Sequence, residues 1–189
     1  MHSKHPDDRS TPTSNATLRY LTPEQVDKLV AAAREHSRHG ERDAVMIMLA
    51  YRHALRVSEL CALTWDDVDL KAGTLQAPRS KGGAYALHPL QRGDRAALVS
   101  LKGSGKAHLF VGERGEPMTP PGVRRLIRRL GVLAGLGRVH PHMLRHGAGF
   151  KLVNAGVDMR LIQAYLGHRS PVSTMIYTTV DARRFKGLF

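Results

Sequence analysis

Four short segments of the chain carry residue types that could bind a phosphate group. In residues 55–60, Arg56 opens a predicted helix, where its guanidinium donors could contact phosphate. The alternative is a surface arginine paired with Glu59 three residues later. In residues 79–83, Lys81 lies in a glycine-rich turn from which it could reach a ligand, although a solvated turn lysine is much commoner. Neither segment is decisive by itself.

The third segment, residues 140–146, combines histidine with arginine at a predicted helix start. His142 and Arg145 are three residues apart and therefore share one helical face, close to the helix end that attracts anions. His142 and His146 are four residues apart, which would also suit a helical metal pair. A zinc site is disfavoured because the segment lacks the glutamate of the metalloprotease motif and because no third ligand is evident. The segment therefore favours an anion site.

The fourth segment contains His168 and Tyr177, which follow a predicted helix that ends at Gly167. His168 would be exposed at that helix end. Two threonines, rather than a core run, follow Tyr177, and the ordinary expectation for such a tyrosine is a half-buried ring with its hydroxyl in water. Each of the four signals is modest alone, and their order along the chain carries more information.

These residues must be positioned by a mostly helical domain with a small antiparallel sheet inserted. Caps and apolar spacing predict one helix that starts at Thr22 and is ended by Gly40, and further helices over residues 41–53, 56–63, 90–101, 120–133, 141–154 and 158–166. Short alternating segments predict strands over residues 68–70, 74–77 and 84–88. Residues 1–19 are polar and are predicted to form a disordered arm before a single α+β domain over residues 20–189.

Charge and composition narrow the class of partner. The 189 residues include 29 Lys and Arg against 16 Asp and Glu, which gives a net charge of +13 and a pI near 10.6. Such a charge favours a polyanionic partner, nucleic acid first, over a basic surface without a ligand. The single cysteine, Cys61, excludes a disulfide framework, and no apolar run approaches the ~18 residues of a membrane span. A reduced, cytoplasmic compartment and no membrane partner are expected.

In chain order, the four segments resemble the motifs of the tyrosine recombinases, also called phage-integrase-type recombinases. The resemblance is carried by ALRVSELCALTWDDVDL, HPHMLRHGAGFKLVNAGVDMRLIQAYLGH and TMIYTTV, and it covers the chain from Tyr20 to the C-terminus. The chain is most similar to the small recombinases of the fimbrial phase-variation type, and a separate N-terminal DNA clamp is not expected. It departs from the wider family at Ala54, where glycine usually precedes the Leu-Arg pair, and in its polar arm.

The resemblance implies a site-specific DNA recombinase that uses neither a metal nor another cofactor and acts on paired sites in double-stranded DNA. Tyr177 would attack the scissile phosphate and form a 3′-phosphotyrosyl bond, which keeps the energy of the diester. Lys81 would protonate the leaving 5′-oxygen. The 5′-hydroxyl of a partner strand would then attack and make a Holliday junction. DNA inversion is the expected outcome, with integration and excision left open.

The same resemblance assigns the remaining groups to the phosphate. Arg56 and Arg145 would clamp its nonbridging oxygens through their fixed donors. His142 would either accept the proton of Tyr177 or bind the phosphate, and the residues alone do not choose between these roles. His168 would donate a hydrogen bond to the phosphate.

A basic helix is predicted to support the DNA substrate. Within residues 123–130, apolar side chains form one stripe and four arginines with no acid between them form the other face: Arg124, Arg125, Arg128 and Arg129. The alternative is a solvated surface helix, but four unbalanced arginines favour phosphate contact. Residues 181–189 end in apolar side chains, and the resemblance implies that this tail packs onto a neighbouring protomer in a homotetramer on DNA.

Two other functions fit parts of the pattern. A type IB topoisomerase would share much of the chemistry and would relax supercoils without strand exchange. A DNA-binding regulator on the same fold would lack one or more catalytic groups, whereas all six are present in this sequence.

Overall fold

The computed structural model describes residues 20–78, 86–101 and 107–167. The helices along these residues are α1 (Pro23–His36), α2 (Gly40–Arg52), α3 (Val57–Ala62), α4 (Arg92–Leu101), α5 (Pro120–Leu133), α6 (Pro141–Asn154) and α7 (Met159–Leu166). The strands are β1 (Val68–Asp69), β2 (Thr74–Ala77) and β3 (Ala86–Pro89), and a 3₁₀ turn at Trp65–Asp67 precedes β1. The predicted α+β class, mainly helical with a small antiparallel sheet, is confirmed.

Helix α2 forms the centre of the core because it is apolar on nearly every face. Five of its residues are fully buried, at 0% exposure: Ala44, Val45, Met46, Ile47 and Leu49. Helices α1, α3, α4 and α6 all pack against it. Burial of each large aliphatic side chain contributes roughly 1.5–3 kcal/mol. Helices α3 and α6, which carry Arg56, His142 and Arg145, are therefore held by one common support.

The three strands pair in the order β1-β2-β3, and both pairings are antiparallel. Leu75 pairs with His88, and Ala77 pairs with Ala86 at the far end of the hairpin. Leu75, Ala77 and His88 are buried, so one face of the sheet packs against the helices. After β3, the backbone N–H of Leu90 still bonds to the Gly73 carbonyl, which delays the start of α4 to Arg92.

Helix starts and ends follow local chemistry closely. Thr22 and Gln25 form the predicted capping box at α1, and the Asp158 carboxylate accepts from the first N–H groups of α7. Gly167 ends α7 with a φ of 62°, a left-handed conformation that favours glycine. Arg56 caps α3 and is not its first helical residue.

One predicted boundary is wrong. Gly40 was expected to end the first helix, but α1 ends at His36 and Gly40 is the first residue of α2. A Cβ at position 40 would lie 2.7 Å from the Arg34 carbonyl oxygen. Glycine therefore serves here to let the start of α2 approach the last turn of α1.

Some predictions fall on residues that the structure does not describe. The arm at residues 1–19 and the tail at residues 181–189 lie outside the described ranges, so their predicted roles and the proposed domain limits stay predictions. Within the described part of the chain, no helix is both long and apolar enough to cross a membrane.

Candidate active site

Arg56 lies at the start of α3, where it is paired with a buried carboxylate. Its backbone N–H donates to Glu59 Oε2 at 2.8 Å, and its Nη1 donates to Glu59 Oε1 at 2.6 Å. The Glu59 side chain has no exposed surface, whereas 29% of the Arg56 side chain is exposed. The Arg56–Glu59 pair considered from the sequence is therefore present, but it is not a surface pair. Arg56 keeps an edge that a ligand can reach.

Arg145 lies on α6 and is buried behind the same carboxylate, with only 3% of its surface exposed. Its Nη1 donates to the Ala54 carbonyl, and its Nη2 donates to the Leu166 carbonyl at 2.5 Å. The distance from Arg145 Nη1 to Glu59 Oε2 is 4.0 Å. Glu59 therefore lies between two guanidinium groups, and Arg145 fixes the end of α7 against α6.

The backbone that supplies the Ala54 carbonyl has an unusual conformation. Ala54 has a φ of 50° and is fully buried. This left-handed region favours glycine, because a Cβ there approaches the backbone closely. The departure from the wider family pattern noted at this position therefore puts alanine in a conformation suited to glycine.

His142 precedes Arg145 by about one helical turn and faces a cavity. The cavity has a volume of about 230 Å³ and no carboxylate in its lining, which consists of Leu55, Arg56, Val57, Arg124, His140, Pro141 and His142. His140 is the N-cap of α6, and its side chain makes no capping hydrogen bond. Uncapped N–H groups and the positive end of a helix favour an anion. The cavity therefore combines several independent sources of positive potential.

The histidines at the start of α6 are held toward their neutral form. Burial lowers the pKa of His142 below its ordinary value, and the positive charges of Arg145, His140, Arg56 and Arg124 lower it further. Burial also lowers the pKa of His146, as do His142, Arg145 and His140. The His142 and His146 rings are stacked, with 5.8 Å between centroids. A neutral His142 can accept a proton, which is one of the two roles considered for it.

The predicted two faces of α5 are present. Val123, Ile127 and Leu130 are fully buried, and the four arginines are all exposed. Arg129 Nη2 donates to Ser37 Oγ at 3.3 Å. Arg124 differs from the other three because it lines the cavity beside Arg56 and His142.

Three predicted site residues, Lys81, His168 and Tyr177, lie outside the described residues. Lys81 belongs to the segment between the paired residues Ala77 and Ala86. His168 follows Gly167, and the carbonyl just before Gly167 is the one that Arg145 Nη2 binds. Of the six predicted catalytic residues, the structure therefore brings together Arg56, His142 and Arg145.

Two contributors to the site were missed by sequence reasoning. His140 was not given a role, although a histidine directly before a helix-opening proline occupies the N-cap position. Arg124 was assigned to the basic face of α5 and not to the cavity. Its placement depends on the packing of α5 against α3, which no local pattern reports.

Neither a metal site nor a second cavity competes with this site. Across residues 20–78, 86–101 and 107–167, no three His, Cys, Asp or Glu side chains are grouped to hold a metal ion. A cavity of about 540 Å³ lies between α2, α4, α6 and α7, with Tyr51, Arg92 and Lys151 in its lining. None of the described catalytic candidates lines that cavity, so its volume does not identify it as the catalytic site.

Comparison with known proteins decides the family. Residues 19–184 match the model of the family described as the phage integrase family. The chain belongs to the phage integrase family. The resemblance to the tyrosine recombinases is thereby confirmed, and with it the enzyme class, a tyrosine-type site-specific DNA recombinase.

Individual members of the family agree with this assignment. The type 1 fimbriae regulatory protein FimE of Escherichia coli (strain K12) is 39% identical to this chain over 180 residues, which cover 90% of each protein. The crystal structure of XerA recombinase superposes with a TM-score of 0.75 at 30% identity, over 87% of this chain and 61% of XerA. The structure of XerH bound to its difH substrate, a pre-cleavage complex, gives 0.73 at 25% identity, over 88% of this chain and 52% of XerH. This family member therefore spans about half to three fifths of the two solved structures.

Proposed function

We propose that this chain recombines double-stranded DNA at paired sites through a covalent 3′-phosphotyrosyl intermediate, with Tyr177 as the nucleophile. The observation that carries the proposal is the cavity at the start of α6, which Arg56 and His142 line without a carboxylate and near which the charge of the buried Arg145 acts on His142. Cleavage of a phosphodiester needs fixed hydrogen-bond donors for the phosphate and a proton acceptor for the nucleophile, and this site offers both.

The first step exchanges one phosphoester bond for another. The Tyr177 oxygen bonds to phosphorus while the bond from phosphorus to the 5′-oxygen breaks, and the phenolic proton passes to His142. The lowered pKa of His142 supports this role, because the neutral imidazole is the form that accepts a proton. Lys81 donates a proton to the departing 5′-oxygen.

The remaining groups stabilise the phosphate, and the second step reverses the first. Arg56 and Arg145 oppose the charge on the nonbridging oxygens, and His168 adds a hydrogen bond. The 5′-hydroxyl of a partner strand then attacks the phosphotyrosine, restores a diester and releases the tyrosine. Exchange of one strand pair gives a Holliday junction, and no external energy source is required.

The DNA itself is held by the basic face of α5. Arg124, Arg125, Arg128 and Arg129 are exposed on one face of this helix, and the XerH structure shows a relative bound to DNA. Each phosphate contact releases counterions, so the affinity should fall by orders of magnitude over a few-fold rise in salt. A uniform loss of affinity across DNA sequences in α5 variants would support backbone contact.

The assembled form is a homotetramer on two DNA sites, joined by the tail at residues 181–189, and the reaction inverts a segment of cytoplasmic DNA. The apolar residues Phe185, Leu188 and Phe189 support tail packing, and the similarity to FimE supports a DNA-inverting role. Removal of residues 185–189 should leave the stability of the monomer unchanged and weaken assembly on DNA. Normal recombination by the truncated chain would contradict the tail assignment.

A nicked substrate that traps the cut strand tests the nucleophile. With EDTA present, the unaltered chain should give a denaturant-resistant protein–DNA band. Tyr177→Phe should fold, bind DNA with near-normal affinity and give no band. Arg56→Ala tests the phosphate site and should reduce the band greatly; because it also removes a partner of the buried Glu59 carboxylate, thermal unfolding must show that the variant is folded.

Two outcomes would contradict the proposal. A band that persists in Tyr177→Phe would show that another residue attacks the DNA. Relaxation of a supercoiled plasmid that lacks paired sites, without strand exchange between paired sites, would indicate a type IB topoisomerase instead.

A further inference from the structure

Arg124 occupies a different place from the other arginines of α5. It lines the cavity of about 230 Å³ together with Arg56, His140 and His142. Its charge is near enough to lower the pKa of His142 and to oppose the effect of burial on the thiol of Cys61 in α3. Among the described residues, no carboxylate lies within ion-pair distance of Arg124. It is therefore a cation held at the cavity without a counter-charge from the described chain.

The charge around the phosphate site shows what such a cation could do. Arg56 and Arg145 share the buried carboxylate of Glu59, so the two guanidinium groups and the carboxylate leave one net positive charge. Arg145 is also committed to the carbonyls of Ala54 and Leu166. A phosphodiester carries one negative charge, and attack by a deprotonated tyrosine oxygen adds a second. The net positive charge of the Arg56–Glu59–Arg145 group therefore balances the ground-state phosphate, but not the second negative charge that develops on the phosphoryl oxygens while the tyrosine proton moves to His142.

We propose that Arg124 is a third catalytic arginine that contacts the scissile phosphate and supplies the charge needed in the transition state. This inference rests on the proposed function and deepens it. Arg124 lies in the second turn of α5, whose backbone start is set by the Thr119 cap and by two prolines, so its Cα position is well defined. Its side chain is exposed, which leaves it able to move onto the phosphate as DNA binds. An interaction that strengthens as charge develops accelerates the step itself, beyond its effect on binding.

Single-turnover cleavage of the nicked substrate, at protein concentrations that saturate the DNA, tests this role. Arg124→Ala should slow cleavage by roughly 10- to 100-fold while the DNA remains bound. Arg124→Lys should recover most of the rate, because it keeps the charge. Arg34→Ala, which removes an exposed arginine that pairs with Glu41 away from the cavity, should cleave at the unaltered rate. Thermal unfolding of each variant confirms that the exposed substitution leaves the fold intact.

A second substrate, with a methylphosphonate at the scissile position, identifies the group that Arg124 contacts. The methyl group removes one negative charge from the transition state, so the penalty of Arg124→Ala should shrink to within about threefold. A full penalty on this substrate would overturn the proposal, because Arg124 would then contact a different phosphate. A penalty that disappears at saturating protein would also overturn it, because Arg124 would then act only in binding.

The recombinase function and the role of Arg124 are contradicted by different results. Absence of any covalent band with the unaltered chain contradicts the proposed function. A normal band with the unaltered chain and an equally fast one with Arg124→Ala contradicts only the role of Arg124.

Discussion

Replacement of Glu59 by glutamine should destabilise the fold although it changes few atoms. The buried carboxylate accepts from the Arg56 backbone N–H and from Arg56 Nη1, and it lies 4.0 Å from Arg145 Nη1. Glutamine keeps one acceptor oxygen, but its NH₂ group would face a second donor. The substitution therefore leaves a buried donor unsatisfied and removes the negative charge that lies 4.0 Å from Arg145 Nη1.

The magnitude follows from burial. Breaking a fully buried ion pair costs about 3–5 kcal/mol, because an uncompensated charge remains. Arg145 keeps its carbonyl partners and Arg56 is partly exposed, so a loss of about 3 kcal/mol is expected. For a domain of this size, that corresponds to a fall of ~6–12 °C in Tm. Added salt should not reproduce the loss in the unaltered chain, because buried charges are weakly screened.

Urea unfolding with and without a short duplex measures the effect. Glu41→Gln is the matched control, since it also breaks a Glu–Arg pair, but one whose side chains are 57% and 49% exposed, and its cost should not exceed about 1 kcal/mol. DNA phosphate should recover part of the loss in Glu59→Gln, because a bound anion replaces the missing counter-charge. Equal stability of the two variants would refute the view that Glu59 balances the paired guanidinium groups.

Three further outcomes are expected. Gly147→Ala should cost at least about 2 kcal/mol in urea unfolding, because its Cβ would press on the Leu21 carbonyl oxygen and lie 3.1 Å from Tyr51 Cε2. Gly122→Ala is the control and should be near neutral, because its Cβ would meet only Thr119 Oγ1, at 3.3 Å. Ala54→Val should cost roughly 1–3 kcal/mol in urea unfolding and should slow cleavage. A β-branched residue is strained at a φ of 50° and would shift the carbonyl that Arg145 binds. An unchanged free energy of unfolding would contradict this. The protein without DNA should lose stability as the pH falls from about 7 to 5. Burial lowers the pKa of His140, His142 and His146 in the fold, so the unfolded chain takes up protons in this range more readily than the folded chain does. A urea midpoint that does not change with pH would argue against this.

Local sequence signals were enough to predict the bounds of a helix that has proline in its first turn and a clear apolar stripe. Helices α5 and α6 begin and end at the predicted residues, because each opens with proline in its first turn and because α5 has one continuous buried face. The strand β2 was also predicted at its observed limits. The boundary at Gly40 failed because the residue serves a contact between two helices, and its type alone does not report which neighbour comes close.

The site was harder to predict because its electrostatics depend on packing. The spacing of Arg56 and Glu59 indicated a pair, but a surface pair and a buried one look alike in sequence. The spacing of His142 and Arg145 placed both on α6, yet it did not show that Arg145 binds the carbonyls of two other segments. Those contacts arise from residues far apart along the chain, which only the folded arrangement brings together.

Arg145 joins the ends of separate segments with its own side chain, so a residue assigned to chemistry also belongs to the packing. A lineage that gave up strand cleavage but kept DNA binding could not discard this arginine without loosening the end of α7. Selection for folding alone would retain it. We therefore expect inactive descendants to change first at Tyr177 or Lys81 and to keep arginine at position 145. In a newly sequenced relative, this arginine would then be a marker of ancestry and a poor marker of activity.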